Sequence, residues 1–404
     1  MGKKIVIIGT LDTKGEEHLF LRQKIEERGF QTTVVDTGLV DPPYFKPDIS
    51  REEVCRAAGL SLADLIEKKD KTLAIDTMGA GAGRIASQLY TAGNLDGIIS
   101  LGGGQGTLIS TAAMRSLPYG VPKVMVSTIA SGDVSRHIGI MDITMIHSIV
   151  DILGLNSFSK KLITQAGYAV CAMVEASCFP PEKGKPLIGM TMFGITTPCA
   201  MKVKKLLAGR DLRHDVLVFH ARGTGGRTME KLITEGAIRG VVDISTTELA
   251  DELVGGIRSA GPHRLEAAAA QGIPQVVCPG ALDSVNFGPP ESVPAKFRGR
   301  KFSAHSSVTT LMRTTPAENE TLGEIIAEKL NRGRGKTTIV IPLQGFSVLD
   351  KPGGPFYDPE ATAAFIKGLK RKIDRRVKVL EIDAHLTDDR FAEAVFNEFI
   401  QIMD

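Results

Sequence analysis

Short apolar runs alternate along the chain with longer segments that mix apolar and charged residues. In the first half the apolar runs are KIVIIGT, TTVVDTG, TLAIDTMG, GIISLGG and KVMVSTIAS. Segments with the spacing of amphipathic helices separate or follow them: EEHLFLRQKIEERG, EEVCRAAGLSLADLIEKK, GAGRIASQLYTAGN and GTLISTAAMRSLP. Strands this apolar, with helices between them, are typical of a parallel sheet covered on both faces. The pattern therefore predicts an open α/β sheet.

The second half repeats this pattern. Its predicted strands are PLIGMTMFG, HDVLVFHARG, IRGVVDIST, IPQVVCPGA and TTIVIPLQG, and residues 375–404 add one more strand and helix. LDGIISLGGGQGT has a counterpart in IRGVVDISTTEL, and GVPKVMVSTIASGDV in GIPQVVCPGALDSV. We predict two Rossmann-like subdomains with open parallel sheets, residues 1–182 and 183–404, related by a weak internal repeat. The charged, Pro-rich stretch 178–186 would divide them, and a ligand-binding cleft would lie between them.

Composition narrows the class of protein. The net charge of +3 is small, and no block of Lys or Arg suggests a nucleic-acid partner. Five cysteines without a CxxC pair favour a reducing cytoplasm over a disulfide framework. No stretch approaches the roughly 18 apolar residues of a membrane-spanning helix. We expect a cytoplasmic protein with no membrane segment.

Small polar residues follow nearly every strand of the first half, as in IGTLDTK and LGGGQGT. Glycine lets a ligand approach the backbone, and amides at a helix start bind anions. These loops therefore predict a phosphate or carboxylate site; the alternative is a set of tight turns that need glycine only for geometry. Lys14 would meet a phosphate, while Asp12 would orient it, hold Mg²⁺ or cap a helix. Neither a Walker A motif nor a complete G-x-G-x-x-G motif is present.

The loops of the second half carry side chains suited to acid–base chemistry. Candidate catalytic residues are His220, Asp243, Glu248 and His305. Candidate substrate-binding residues are Arg222, Arg227, Thr246, Thr247, Asp283, Asn286 and Arg313. Arginines in such a set would bind carboxylate or phosphate, with His220 or Glu248 as the base. The competing interpretation makes each histidine structural, and the absence of HExxH or His-x-His leaves any metal site undefined.

Several of these stretches together resemble one family. IGTLDTK, GIISLGGGQGT, SIVDILGLNSFSK, VFHARGTGGRTMEKL, VVDISTTELADELVGG and GALDSVNFGP are similar to the UPF0261 proteins, described as Tm-1-like ATP-binding domains. The resemblance implies two α/β subdomains, a homodimer, and ATP, with Mg²⁺, at the glycine-rich loops. From loop position we assign these contacts to Gly9, Thr10, Asp12, Lys14, Gly102, Gly103, Gly104, Gly106, Thr107 and Ser131.

Three functions remain open at this stage. The first is an ATP-binding enzyme that acts on a small acidic metabolite. The second is a hydrolase or lyase that cleaves a C–C or C–O bond next to a carbonyl without ATP, with the GGGQG loop holding a carboxylate or oxyanion. The third is a non-catalytic nucleotide sensor. The acidic and imidazole side chains of the second half favour an enzyme, because a sensor has no use for them.

Overall fold

The structure is a computed structural model that describes residues 2–177, 185–209 and 214–403, with the backbone alone at His305. The chain divides into two compact units, Met1–Glu182 and Lys183–Asp404. Most of the predicted linker, residues 178–186, lies outside the described residues. None of the described helices is long and apolar enough to cross a membrane.

The first unit is built on a parallel five-stranded sheet. Its strands are β1 (Lys4–Gly9), β2 (Gln31–Asp36), β3 (Gly97–Gly102), β4 (Lys123–Ser127) and β5 (Thr144–His147). They lie in the order β2-β1-β3-β4-β5. Ile5 and Ile7 pack into the core on one face of the sheet, and Val6 and Ile8 into the core on the other. Both faces are thus buried, as a parallel sheet requires.

Helices cover the two faces of this sheet. They are α1 (Leu11–Glu26), α2 (Arg51–Ala57), α3 (Leu62–Glu67), α4 (Lys71–Thr91), α5 (Gly104–Arg115), α6 (Ser135–Ile138) and α7 (Ser157–Ala176). α1 packs with α7, whereas α4 packs with α2 and α5. The strand prediction for TLAIDTMG is wrong, because this segment lies inside α4.

Close helix packing explains this error. A Cβ atom at Gly81 would lie 2.0 Å from the carbonyl oxygen of Val54 in α2, and one at Gly79 would lie 3.1 Å from the Cβ of Ala112 in α5. The glycines of α4 therefore allow neighbouring helices to approach, and do not end a strand. Arg84 lies in the middle of α4 and donates to the carbonyl of Ala57 in α2.

The second unit contains a parallel six-stranded sheet and a small antiparallel one. The parallel strands are β6 (Leu187–Met192), β7 (Asp215–His220), β8 (Ile238–Ser245), β9 (Gln275–Gly280), β13 (Thr337–Pro342) and β14 (Lys378–Ile382). The antiparallel strands are β10 (Ser284–Phe287), β11 (Phe302–Ser306) and β12 (Thr309–Arg313), in the order β10-β12-β11. The sequence prediction included neither this small sheet nor β5.

The helices of the second unit are α8 (Thr197–Gly209), α9 (Thr224–Thr234), α10 (Thr247–Val254), α11 (Ala267–Gln271), α12 (Pro316–Asn331), α13 (Pro359–Lys372) and α14 (Asp389–Met403). Three short 3₁₀ segments occupy Gly194–Thr196, Pro290–Ser292 and Ala295–Phe297. α8 packs with α14, and α12 packs with α13.

The parallel sheets of the two units share one topology. The strands of the second unit lie in the order β14-β13-β9-β8-β6-β7. Counted from the first strand of each unit, both sheets follow the order 2-1-3-4-5, with a sixth strand in the second unit. This is a doubly wound topology, and it confirms the α/β fold class. The repeated motifs of the sequence thus correspond to equivalent strands.

Candidate functional site

The first two glycine-rich loops meet at one point of the first unit. β1 and β3 are neighbours, with Ile8 paired to Ser100. β2 lies on one side of this pair and β4 on the other, so the direction of winding reverses between β1 and β3. In open α/β sheets, ligands bind outside the carboxyl ends of the strands at such a switch point. Residues 10–14 and 102–107 follow these two strand ends.

The helix that begins at this point has an uncapped start. Gly103, the N-cap of α5, makes no side-chain capping bond. Among the described residues, no acceptor pairs with the amide N–H of Gly104, Gln105 or Gly106. A Cβ atom at the exposed Gly104 would have no heavy atom within 4 Å. The helix start therefore presents unpaired donors, and the positive end of its dipole, to open space.

Exposure separates the predicted nucleotide contacts into two groups. The residues that are at least partly exposed are Thr10, Asp12, Lys14, Gly103, Gly104, Gly106 and Ser131, while Gly9, Gly102 and Thr107 are buried. A Cβ atom at Gly9 would lie 2.2 Å from Nε2 of the buried His18. The hydroxyl of Thr107 donates to the carbonyl of Gly103 at 2.8 Å. The buried residues thus shape the loops and leave ligand contacts to the exposed ones.

Two of the exposed residues also hold neighbouring loops of the first unit. Asp12 Oδ2 accepts hydrogen bonds from the amides of Leu39 and Val40, at 2.9 and 2.8 Å. Lys14 Nζ donates to the carbonyl of Ile152. Asp12 Oδ1 is buried and has no hydrogen-bond partner among the described residues. Lys14 is therefore already engaged by the protein, whereas Asp12 keeps one oxygen for a ligand.

The equivalent loop of the second unit is filled by side chains. Thr246 and Thr247 follow β8 where glycines follow β3, and both are fully buried. The Thr246 hydroxyl donates to the carbonyl of Cys278 at 3.0 Å, and the Thr247 hydroxyl to that of Ser284 at 3.2 Å. Both predicted substrate-binding hydroxyls therefore donate to the protein.

A buried arginine lies at the centre of the predicted catalytic group. Arg264 Nη1 and Nη2 lie 2.6 and 2.8 Å from the two oxygens of Asp243, and its Nε lies 2.6 Å from Glu248 Oε2. Glu248 Oε1 accepts from the amides of Gly223 and Gly226, at 2.6 and 3.0 Å. These ionic side chains are at most 1% exposed. Such a paired and hydrogen-bonded arrangement argues against Glu248 as a general base.

Asn286 is likewise committed to a buried carboxyl group. Its side-chain amide donates to Asp251 Oδ2 at 2.7 Å, and its backbone N–H to Asp251 Oδ1 at 3.0 Å. Burial raises the pKa of Asp251 to about 7. Asp251 Oδ1 also accepts from the backbone N–H of Arg258 at 3.2 Å. Asn286 and Asp251 therefore fix the loop that carries Arg258.

A second buried group follows β9 and β13. Ser347 donates to Asp283 Oδ2 at 2.6 Å, and Arg313 Nη2 lies 3.6 Å from Asp350 Oδ1. Asp283 Oδ1 and Arg313 Nη2 are buried and have no hydrogen-bond partner among the described residues. Burial, followed by the charge of Asp350, raises the pKa of Asp283 to about 7. The structure thus brings two predicted residues, Asp283 and Arg313, into one charged cluster.

His220 belongs to a different, basic group at the ends of β6 and β7. Its ring lies edge-on to the Phe193 ring, with centroids 5.5 Å apart. The guanidinium of Arg258 lies over the same Phe193 ring, 5.3 Å from its centroid. Partial burial lowers the pKa of His220, and the charges of Arg222 and Arg258 lower it further. Neutral imidazole is therefore the favoured form at neutral pH.

The remaining predicted residues contribute less to these groups. Arg227 is exposed, and its Nε donates to the carbonyl of Gly223 at 3.3 Å. The side chain of His305 lies outside the described part of the chain. Cys199 is buried in the first turn of α8, where burial raises the pKa of its thiol to about 12. Within the described residues, no group of three or more His, Cys, Asp or Glu side chains could hold a metal ion.

Sequence reasoning missed several residues of these groups: His18, Arg258, Arg264, Ser347 and Asp350. None of them stands in a recognisable motif, and the partners of Arg264 lie 16 and 21 residues away in the chain. A signal existed only for Asp350, which follows a predicted strand and a glycine in TTIVIPLQGFSVLD.

Two family models cover most of the chain. The N-terminal domain of an uncharacterised protein family, UPF0261, matches residues 3–178, and its C-terminal domain matches residues 185–403. A UPF0261 protein of Clostridium tetani is 48% identical over the whole length of both chains. The ToMV resistance protein Tm-1(GCR237) of Solanum lycopersicum is 38% identical over 99% of this chain and 56% of its own length.

One solved structure illustrates how weak the structural likenesses are. A UDP-N-acetylglucosamine 2-epimerase covers 93% of this chain and 92% of its own, at 8% identity and a TM-score of 0.24. This is too low to support any inference about activity. The family matches, by contrast, extend over both units. The chain therefore belongs to the UPF0261 family.

Proposed function

We propose that this protein binds ATP through its phosphates at the switch point between β1 and β3. One observation carries the proposal. The two units share a strand order, yet the helix after β3 starts with unpaired amides facing open space, whereas the corresponding loop of the second unit is filled by Thr246 and Thr247. The difference between an open position in one repeat and a filled one in the other supports a ligand site at the open position.

The chemistry of the loop suits a phosphate group. Amides at a helix start donate to anionic oxygens, and the helix dipole favours negative charge at the same place. Glycine at positions 103, 104 and 106 lets a phosphate approach these amides without meeting a side chain. The resemblance to Tm-1-like ATP-binding domains suggests ATP as the particular nucleotide.

Asp12 fits a supporting role for Mg²⁺. Proteins often bind Mg²⁺ through one or two carboxylates, with substrate phosphates and water completing the octahedron. Asp12 Oδ1 is a carboxylate oxygen of these loops that has no hydrogen-bond partner among the residues the structure describes. When bound, Mg²⁺ would neutralise phosphate charge. Lys14, whose ammonium group already donates to Ile152, does not supply a Walker-type lysine. We therefore propose binding with slow ATP hydrolysis.

Calorimetric titration with ATP and Mg²⁺ tests this proposal. The wild type should bind in the micromolar range, and Gly104→Asp should weaken binding by at least about tenfold, because a carboxylate at the helix start repels phosphate. The fold should tolerate this change, since a Cβ atom at Gly104 meets nothing within 4 Å.

Gly209→Asp provides the matched control. Gly209 ends α8 in the second unit, and no heavy atom of the described residues lies within 4 Å of a Cβ atom there, so this variant should bind ATP like the wild type. Absence of ATP binding by the wild type would refute the proposal. The next experiment would then screen carbonyl acids for hydrolytic cleavage, as expected if the loop holds a carboxylate or an oxyanion.

A further inference from the structure

An aromatic side chain organises the basic group of the second unit. Phe193 directly follows β6 and is only 3% exposed. His220 ends the neighbouring strand, where it pairs with Met192. Arg258 stacks over the face of Phe193 while His220 meets the ring edge-on. A cation above an aromatic face is attracted to it, so Phe193 holds the Arg258 guanidinium beside the imidazole.

The backbone brings a second guanidinium to the same place. Gly223 has a φ of +81°, and a Cβ atom there would lie 2.6 Å from the carbonyl oxygen of Ser259. Only glycine therefore lets the turn after β7, which carries Arg222, pack against the loop that carries Arg258. Asp251 Oδ1 accepts a hydrogen bond from the backbone N–H of Arg258 and so fixes the position of that loop.

The described part of the protein balances the charges of this group only in part, through the charge of the buried Asp251 acting on Arg258. Among the described residues, no carboxylate lies within ion-pair distance of Arg222 or Arg258. The charge of Arg222 lowers the pKa of Arg258, after the larger effect of burial. Two guanidiniums on anchored loops, with no carboxylate of the described residues in ion-pair contact with either, are characteristic of an anion-binding site.

We propose that Arg222, Arg258 and His220 form a second ligand site, which binds a small dianion such as a phosphate monoester or a dicarboxylate. Two guanidiniums match the charge of a dianion, and each can donate two parallel hydrogen bonds to its oxygens. The imidazole of His220 adds one further donor or acceptor. This site lies within the second unit, and the inference does not depend on nucleotide binding by the first.

NMR of the His220 imidazole in the full chain provides a test that is local to the site. Inorganic phosphate and malonate are the probes, and Gly104→Asp is the background, so that the loop of the first unit does not contribute. Either anion would neutralise the arginines and raise the pKa of His220. We expect a saturable rise in this pKa; the stronger probe identifies phosphate or dicarboxylate as the preferred group. His220→Gln assigns the resonance.

Variants of the two arginines decide whether the site is real. Arg222→Gln and Arg258→Gln should each weaken anion binding by at least about tenfold. Arg258→Lys keeps the charge, so it should lose less anion affinity than Arg258→Gln. Arg239→Gln, at the amino end of β8, removes an equal charge from the opposite edge of the sheet and should bind like the wild type. The proposal would be overturned if neither anion changed the pKa of His220, or if all four variants bound the anions with equal affinity.

Discussion

At the scale of single residues, the buried Asp283 should make the stability of the second unit depend on pH. It is fully buried, and burial together with the charge of Asp350 raises its pKa to about 7. An unfolded aspartate titrates near pH 4. Between these values the folded protein binds more protons than the unfolded chain. The free energy of unfolding therefore falls as pH rises from about 4 to about 7.

Asp283→Asn should remove part of this pH dependence. The amide keeps an acceptor for Ser347 but carries no charge, so the free energy of unfolding should decline less between pH 4.5 and 8. At pH 8 the variant should be more stable, by at most about 4 kcal/mol. Urea denaturation across this pH range provides the measurement.

The exposed Asp215→Asn serves as the control and should leave the pH profile unchanged. The pKa of Asp251 is also raised to about 7, so part of the pH dependence of the free energy of unfolding should remain in both variants. Parallel profiles for wild type and Asp283→Asn would contradict this account.

Residue types at strand ends could be predicted from the sequence, but their partners could not. Glu248 follows β8 as expected, whereas Asp243 lies inside that strand, and Arg264 holds both of them. Arg264 itself precedes a short helix and resembles a surface residue in the sequence. A side chain that is buried against a distant part of the chain leaves no local pattern in the sequence. A catalytic carboxylate therefore cannot be distinguished from one held in a buried ion pair until the fold is known.

At the scale of elements, replacing two glycines of α4 by alanine should have opposite effects on stability. A Cβ atom at Gly81 would lie 2.0 Å from the Val54 carbonyl oxygen, whereas one at Gly83 would make ordinary contact with Ser116 at 3.6 Å. Gly81→Ala should therefore destabilise the first unit by roughly 1–3 kcal/mol through overpacking. Gly83→Ala should stabilise it by about 0.5–1 kcal/mol, because alanine favours a helix.

Chemical denaturation of these two variants compares identical substitutions two residues apart in one helix. The pair thus separates helix packing from helix propensity. Equal effects of the same sign would show that the approach of α2 to α4 is not close enough to require glycine.

The elements that could be predicted are those with long apolar runs. Most strands of both parallel sheets carry such runs and were identified. β5, with four residues, and the short strands β10 to β12 lack them. TLAIDTMG combines threonine and isoleucine with glycine, as a strand end would, but its glycines serve helix contacts. Local composition cannot distinguish these two uses of glycine.

At the scale of the whole molecule, the two units share one topology but differ at its switch point. Both units wind their sheets in the order 2-1-3-4-5, and each has a switch point between its first and third strands. In the first unit the helix at this point starts at an exposed glycine; in the second it starts at a buried threonine. The basic group of the second unit lies instead at the ends of β6 and β7.

The meeting of the glycine-rich loops at one point could be predicted, because in this topology the ends of β1 and β3 adjoin at a switch point. The individual contacts could not. Lys14 and Thr107 have the right chemistry for a phosphate, but both are engaged by the protein. Whether a polar group remains available depends on the loops packed around it, and those loops come from distant parts of the sequence.

Hydrogen exchange with mass spectrometry tests the central claim most directly, because it needs no substitution. In the free protein the amides of Gly104, Gln105 and Gly106 have no acceptor within the described part of the chain and should exchange rapidly. With ATP and Mg²⁺, we predict slower exchange in the peptides that contain residues 102–107 and 9–14. Exchange at residues 102–107 that is unchanged by saturating ATP would contradict a phosphate site at the start of α5.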